Sequence, residues 1–241
     1  IEYYKEQERG YNFKEDLLVP GYFEMPIKKG ESIIFSGGVT KVSPRSLQSL
    51  WENELTRRNK RLDMFSTLKN SAQQFYKREG DKTYMLAGYP WFCARARNEF
   101  ISLVPNTILV DRSDYFDDII NTAIPEIEDF LNGKKDDFKL KGLEEPDVLL
   151  WFIRAIQEYA ETASIKEAAT RFGEISSKII TFIRKQNHPN LFLHNEGLVY
   201  VNGNEKPATW MNAVENGRPI TPRTGYVVEI NALWYNALKF V

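Results

Sequence analysis

The sequence predicts a mainly α-helical fold made of paired helices arranged as an inner and an outer ring rather than a simple four-helix bundle. Three observations support this. Apolar residues recur at helical spacing in segments joined by short linkers. The stretch Val148-Leu-Leu-Trp-Phe-Ile-Arg-Ala-Ile156 is apolar almost all round, as a helix enclosed by others must be, whereas 165–186 alternates charged and apolar faces. Non-helical patterns are confined to residues 1–40, 83–94 and 191–226.

Taken in order, Pro20-Gly21 and Gly37-Gly38 are turn signals. Between them 21–26 and 32–35 read as short strands, so residues 1–40 are expected to be a connector and the edge of a β-rich neighbour. Residues 41–241 are expected to form the helical domain. Ser43-Pro44 is a helix entry, with Ser43 as candidate N-cap and Pro44 in the first turn. Helices are expected over 44–60, 62–79, 98–110, 113–132, 146–162 and 165–186, with Gly133 and the charged run 134–141 closing the fourth. Val227, Ile230, Leu233, Trp234, Ala237, Leu238 and Val241 mark a last helix that runs to the final residue without a cap. Because the chain begins at Ile1 rather than Met and stops inside that pattern, it reads as a piece of a longer polypeptide.

The 241 residues carry 32 Lys plus Arg against 33 Asp plus Glu, a net charge of -1. A nucleic-acid module normally has a basic excess, so nucleic acid is not an expected partner, and an anionic membrane surface is not either. The single cysteine, Cys93, excludes an internal disulfide and a cysteine-based zinc site. His188 and His194 have no further ligand at metal spacing, so no metal and no cofactor are expected. The apolar run Leu149–Ile153 falls far short of the roughly 20 residues a membrane span requires. With no signal-peptide pattern either, the reading is a soluble, cytoplasmic protein. Aromatic residues make up 13% of the chain; packing accounts for most of them, and a carbohydrate surface is the alternative, because sugar C–H faces stack on flat rings.

Two constellations carry chemistry. In 87–103, Trp91, Arg95, Arg97, Asn98 and Glu99 crowd the start of a helix, where free N–H groups favour polar oxygen ligands. A helix capped by Asn98 and flanked by solvated arginines explains the same residues. In 197–234, Asn212 follows Trp210 by two positions, and Arg223 and Glu229 stand near the start of the last helix. Glu229, Asn231 and Asn236 interrupt a stretch that reads as buried, so each is either satisfied locally or serves a ligand.

Gly88-Tyr-Pro-Trp-Phe92, Arg97-Asn-Glu-Phe-Ile-Ser-Leu103, Asp147 to Phe152, Thr209-Trp-Met-Asn-Ala213 and Thr221 to Leu238 stand in one order along the chain. In this they resemble the glycogen debranching enzyme family in its bacterial and archaeal amylo-α-1,6-glucosidase form. The leader, with Glu15-Asp-Leu17 and Pro20-Gly-Tyr-Phe-Glu24, is similar to that family's connector from an N-terminal β domain. The resemblance implies part of an (α/α)6 toroid, a six-hairpin glycosidase of glucoamylase type, with its site in a bowl at one end. It implies inverting hydrolysis of α-1,6-linked glucose at branch points of glycogen or another α-glucan. One carboxylic acid would protonate the leaving oxygen, and a second carboxylate about 6.5–9.5 Å away would activate water.

On that resemblance, Arg97 and Asn98 bind sugar hydroxyls, Trp91 and Trp210 stack on sugar rings, and Arg223 and Glu229 line the pocket. Asp147 reaches the bowl or caps its helix. Two positions depart from the family pattern. Asn212 occupies the acid position, where an amide cannot donate a proton as a carboxylic acid does, and Asn98 replaces the Asp of an Arg-Asp pair. The family's base is expected beyond Val241. The chain by itself is therefore expected to hydrolyse nothing, with a catalytically silent α-glucan-binding protein as the alternative and a protein-binding helical scaffold as a third reading. An incomplete ring would expose apolar surface, which predicts a homodimer through that face or poor solubility.

Overall fold

The computed structural model describes residues 1–58, 60–89, 92–134 and 138–241. The chain divides into two compact units, residues 1–58 and 59–241. The first holds α1 (Tyr4–Glu8) and α2 (Leu47–Arg57), the latter entered through a 3-10 turn at Pro44–Ser46. Ser43 is extended at the entry but its side chain makes no cap; Ser46 Oγ instead donates to the Ser43 carbonyl at 2.8 Å. The strands expected at 21–26 and 32–35 do not form. A strand exists only as part of a ladder, and the β pairing of this unit is the isolated bridge between Glu2 and Lys14. Tyr22 and Phe23, each 87% exposed, have no sheet face to cover.

The second unit contains α3 (Met64–Ala72), β1 (Tyr76–Glu79), β2 (Lys82–Met85), α4 (Ala96–Asn106), α5 (Ser113–Leu131), α6 (Val148–Thr162) and α7 (Ile165–Arg184). Then come β3 (Leu191–Leu193), β4 (Val199–Val201), β5 (Val214–Glu215), β6 (Arg218–Pro219) and α8 (Val228–Phe240). Helix α3 opens with a capping box, Ser66 N donating to Asp63 Oδ1 at 2.7 Å and Asp63 N to Ser66 Oγ at 3.1 Å.

The helix expected over 62–79 stops at Ala72, and the chain turns into the antiparallel pair β1–β2 with Tyr76 opposite Met85. Gly80, at φ +64°, supplies the left-handed turn residue between the strands. Tertiary partners explain the change. Thr83, Tyr84 and Met85 are buried, Thr83 N donates to Thr122 Oγ1 at 3.0 Å, and the Tyr84 hydroxyl donates to Glu126 Oε1 at 2.9 Å, so β2 is held to α5. Such contacts outweigh intrinsic propensity.

The helices lie in two layers. In one, α4 packs on α6 and α6 on α8. Phe100, four residues past Ala96, meets Phe152, four residues past Val148, with ring centroids 5.3 Å apart, so α4 and α6 run the same way. Asn236 Nδ2 donates to Gln157 Oε1 at 2.6 Å, joining α8 to α6 at similar heights. In the other layer α5 and α7 run together, bridged by Arg171 to Asp117 near one end and by Lys178 to Glu128 at 2.8 Å near the other. The two layers run in opposite directions: Tyr159, late in α6, stacks on Phe116, early in α5, at 4.7 Å.

Helix α6 is the centre of the core, as its all-round apolar pattern requires. Val148, Leu149, Leu150, Phe152, Ile153, Ala155 and Ile156 are each at most 1% exposed. Each large side chain among them contributes about 1.5–3 kcal/mol by leaving water. Helix α7 buries Phe172, Ile175, Ile179 and Ile183 on one face and leaves Ile165 and its charged residues on the other. No described helix is long and apolar enough to cross a membrane.

Candidate functional site

The polar residues singled out in the sequence fall into two clusters at helix starts. The first joins α4 to α6. Arg95, extended at φ -128°, precedes α4, and Asn98 does not cap it. Arg97, in the first turn, is 4% exposed rather than solvated and meets Asp147, which is 2% exposed just ahead of α6. The pairing is bidentate: Arg97 Nε lies 2.8 Å from Asp147 Oδ2, and Nη2 lies 2.8 Å from Oδ1. The Trp151 indole N–H donates to Asp147 Oδ2 at 3.1 Å, so this carboxylate is held from two helices and does not cap its own.

Glu145 completes a four-membered ladder, 2.6 Å from Arg97 Nη2 and 3.0 Å from Arg95 Nη2. Burial pushes the Glu145 carboxyl above its ordinary value, against the pull of Arg97 and Arg95. Glu145 was not among the residues expected at the site. Its signal was the acidic run Glu144-Glu145-Pro146-Asp147, which complements Arg95-Ala96-Arg97 across a long sequence separation.

The second cluster gathers the loop 209–213, Arg223 and the first turn of α8. Arg223 Nη2 lies 2.5 Å from Glu229 Oε2, and Nη1 lies 3.5 Å from Met211 Sδ. The other carboxylate oxygen, Glu229 Oε1, is buried and has no hydrogen-bond partner among the described residues. Thr209, 0% exposed, anchors the loop by accepting from Met211 N at 3.2 Å through Oγ1. Trp210 is 62% exposed, and Asn212 is exposed with no side-chain hydrogen bond among the described residues.

Gly203 lets Arg223 come in. A Cβ there would lie 2.5 Å from the Arg223 carbonyl oxygen. The approach is fixed by Gly203 N donating to Thr224 Oγ1 at 2.9 Å and by the Val201–Gly225 bridge. Asn231 and Asn236, by contrast, are structural. Asn231 accepts from Val199 N at 2.9 Å and donates to the Val199 carbonyl at 2.9 Å, bracing β4 against α8.

The remaining expected residues are placed differently. Asn98 is exposed and lines a separate cavity of about 230 Å³ with Phe75, Met85 and Ser102. Trp91 lies outside the described residues. Arg97, Asp147 and Glu229 thus stand at the starts of three helices of one layer, while no hydrogen bond or ion pair among the described residues links the two clusters. No group of three or more His, Cys, Asp or Glu among the described residues is placed to hold a metal ion.

The family model described as amylo-alpha-1,6-glucosidase matches residues 68–241, from α3 through α8. The chain belongs to this family. A second model, the N-terminal region of glycogen debranching enzyme, matches residues 1–34. No curated protein and no solved structure matches the chain. Both clusters lie inside the stretch matched as amylo-alpha-1,6-glucosidase, so every site residue belongs to its glycosidase region.

Proposed function

We propose that this chain is the glucose-gripping part of a glycogen debranching glycosidase, with α4, α6 and α8 forming an inner arc of an (α/α)6 toroid. The observation that carries this reading is the buried, partnerless Glu229 Oε1 beside a loop that presents Trp210 and Asn212 to solvent. A carboxylate oxygen without a donor keeps an unmet capacity to accept a hydrogen bond, which a sugar hydroxyl would satisfy once the covering loop side chains shift. The exposed Trp210 indole offers the flat apolar face on which a pyranose stacks. The Arg97–Asp147 pair holds the starts of α4 and α6 in register, and the substrate class is α-glucan bearing α-1,6-linked glucose.

Inverting hydrolysis of that linkage requires an acid on the leaving oxygen and a base about 6.5–9.5 Å away. Asn212 holds its amide where the acid would stand, and an amide supplies no proton. The chain alone therefore binds and does not cleave. A silent α-glucan binder is the second reading, and the exposed Asn212 is what favours it.

Calorimetric titration with isomaltose and panose tests binding, alongside a glucose-release assay on glycogen limit dextrin. Heat of binding that is lost in Glu229→Ala, with no glucose released, is the expected result. Absence of any isomaltose heat would overturn the glycan reading. Glucose release by the unaltered chain would overturn the assignment of Asn212 as an inert amide.

A further inference from the structure

A cavity of about 1300 Å³ opens at the C-terminal ends of α5 and α7, bounded also by the segment 138–145 and the loop 202–206. None of Arg97, Asp147, Asn212, Arg223 or Glu229 lines it; it meets the first cluster only through Arg95 and Glu145. A second depression of about 450 Å³ shares Leu131, Asn132, Phe182 and Asn187 with it, so the two form one elongated track across the ends of these helices. A track of that size exceeds what a single sugar or a small cofactor fills and suits a chain-like ligand.

The lining identifies the chemistry. Phe130 stands between Phe138 and Phe182, ring centroids 6.4 Å and 5.7 Å away, giving an aromatic wall of which Phe130 and Phe138 are half-exposed. Beside it lie exposed Asn132 and Asn187, whose amides make no side-chain hydrogen bond among the described residues. Asn190 Nδ2 donates to the Glu144 carbonyl at 3.0 Å. An amide offers a donor and an acceptor side by side, the pattern that matches vicinal hydroxyls.

Charge excludes an anionic ligand. Among the described residues, four basic side chains of the main cavity face three acidic ones, and Arg95 is paired with Glu145 at 3.0 Å. Phosphate or nucleic acid would call for a marked positive excess. Flat apolar faces, neutral amides and balanced charge together select a neutral, polyhydroxylated polymer.

We propose that this track is a second carbohydrate site, which holds a linear α-1,4-glucan segment apart from the candidate site at Glu229. The identity of the glucan rests on the function proposed above; the existence of the track as a site for a neutral oligosaccharide does not. The Arg95–Glu145 pair borders the track and belongs to the Arg97–Asp147 cluster, so a chain lying in the track runs toward the starts of α4 and α6.

The test is calorimetry with two probes, maltoheptaose for the track and isomaltose for the pocket. Maltoheptaose should bind, Phe138→Ala should weaken it at least tenfold, and Asn187→Ala, at an exposed position that does not endanger folding, should weaken it several-fold. Both variants should leave isomaltose affinity unchanged. Failure of maltoheptaose to bind, or binding indifferent to both substitutions, overturns the track. Loss of isomaltose binding in step with maltoheptaose in Asn187→Ala also overturns it, because one site would then serve both. Maltoheptaose binding that depends on Phe138 with no isomaltose binding at all keeps the track and removes the pocket reading instead.

Discussion

At the scale of single residues, the buried charges dominate. Asp147 neutralises Arg97 in a place where water does not reach, and removing one partner of such a pair typically costs about 3–5 kcal/mol. Because Glu145 stays 2.6 Å from the guanidinium, Asp147→Asn should fall at the low end, about 3 kcal/mol by urea unfolding. A loss under about 1 kcal/mol would show the pair to be solvated. Glu99 is a different case. It is 1% exposed, accepts from Met85 N at 2.8 Å, leaves Oε1 without a partner, and burial pushes its carboxyl up to about 8. A raised folded value means that the native state holds the proton longer than the unfolded chain, so the contribution of Glu99 is full below about 4.5 and declines as pH rises to about 8. His188, 1% exposed between Phe130 and Phe182, works in the opposite sense: burial lowers its ring to about 4, so stability rises with pH from about 4 to 6.5. With Glu145, whose carboxyl burial also raises, they predict that Tm changes little from pH 4.5 to 6.5 and falls from 6.5 to 8, and that Glu99→Gln removes most of the fall. A Tm still dropping equally over that range in Glu99→Gln would assign the decline elsewhere.

At the scale of elements, the segment 202–225 is positioned by a close backbone approach at Gly203 as well as by the core, which Val199, Val201 and Ala208 enter. Gly203→Ala would place a methyl group 2.5 Å from the Arg223 carbonyl oxygen, so the Arg223 backbone must retreat and the Arg223–Glu229 contact with it. On the function proposed above, isomaltose binding should weaken at least tenfold, while helicity by circular dichroism stays unchanged because α4 to α8 do not depend on that contact; a variant with wild-type affinity would sever the link between Gly203 and the Glu229 site. Legibility in the sequence varied from element to element. Helices α5, α6 and α7 follow from apolar periodicity to within about two residues at each end. The hairpin β1–β2 does not, because what makes it is the grip of Thr122 and Glu126 on residues some forty positions earlier. Arg97 and Asp147 could be picked out as polar residues bordering apolar helices, yet their separation of fifty residues hid that each is the other's partner. Glu145 stayed hidden for the same reason.

At the scale of the whole molecule, the two units differ in what holds them. No residue of 1–58 is buried, while the whole apolar core lies within 59–241. A chain beginning at residue 59 should therefore keep a cooperative thermal transition, with Tm within a few degrees of the full sequence, and limited proteolysis should degrade 1–58 first. A non-cooperative melt of the shorter chain would show that the first unit completes the core of the second. The residues that grip charge are set in the first turns of packed rods, whereas Trp210 and Asn212 ride on a surface loop tied down at Thr209. Scaffold and surface are consequently separable: the side chains at 210 and 212 can be exchanged without asking the rods to repack, so on the function proposed above such exchanges should change saccharide preference while leaving Tm unchanged.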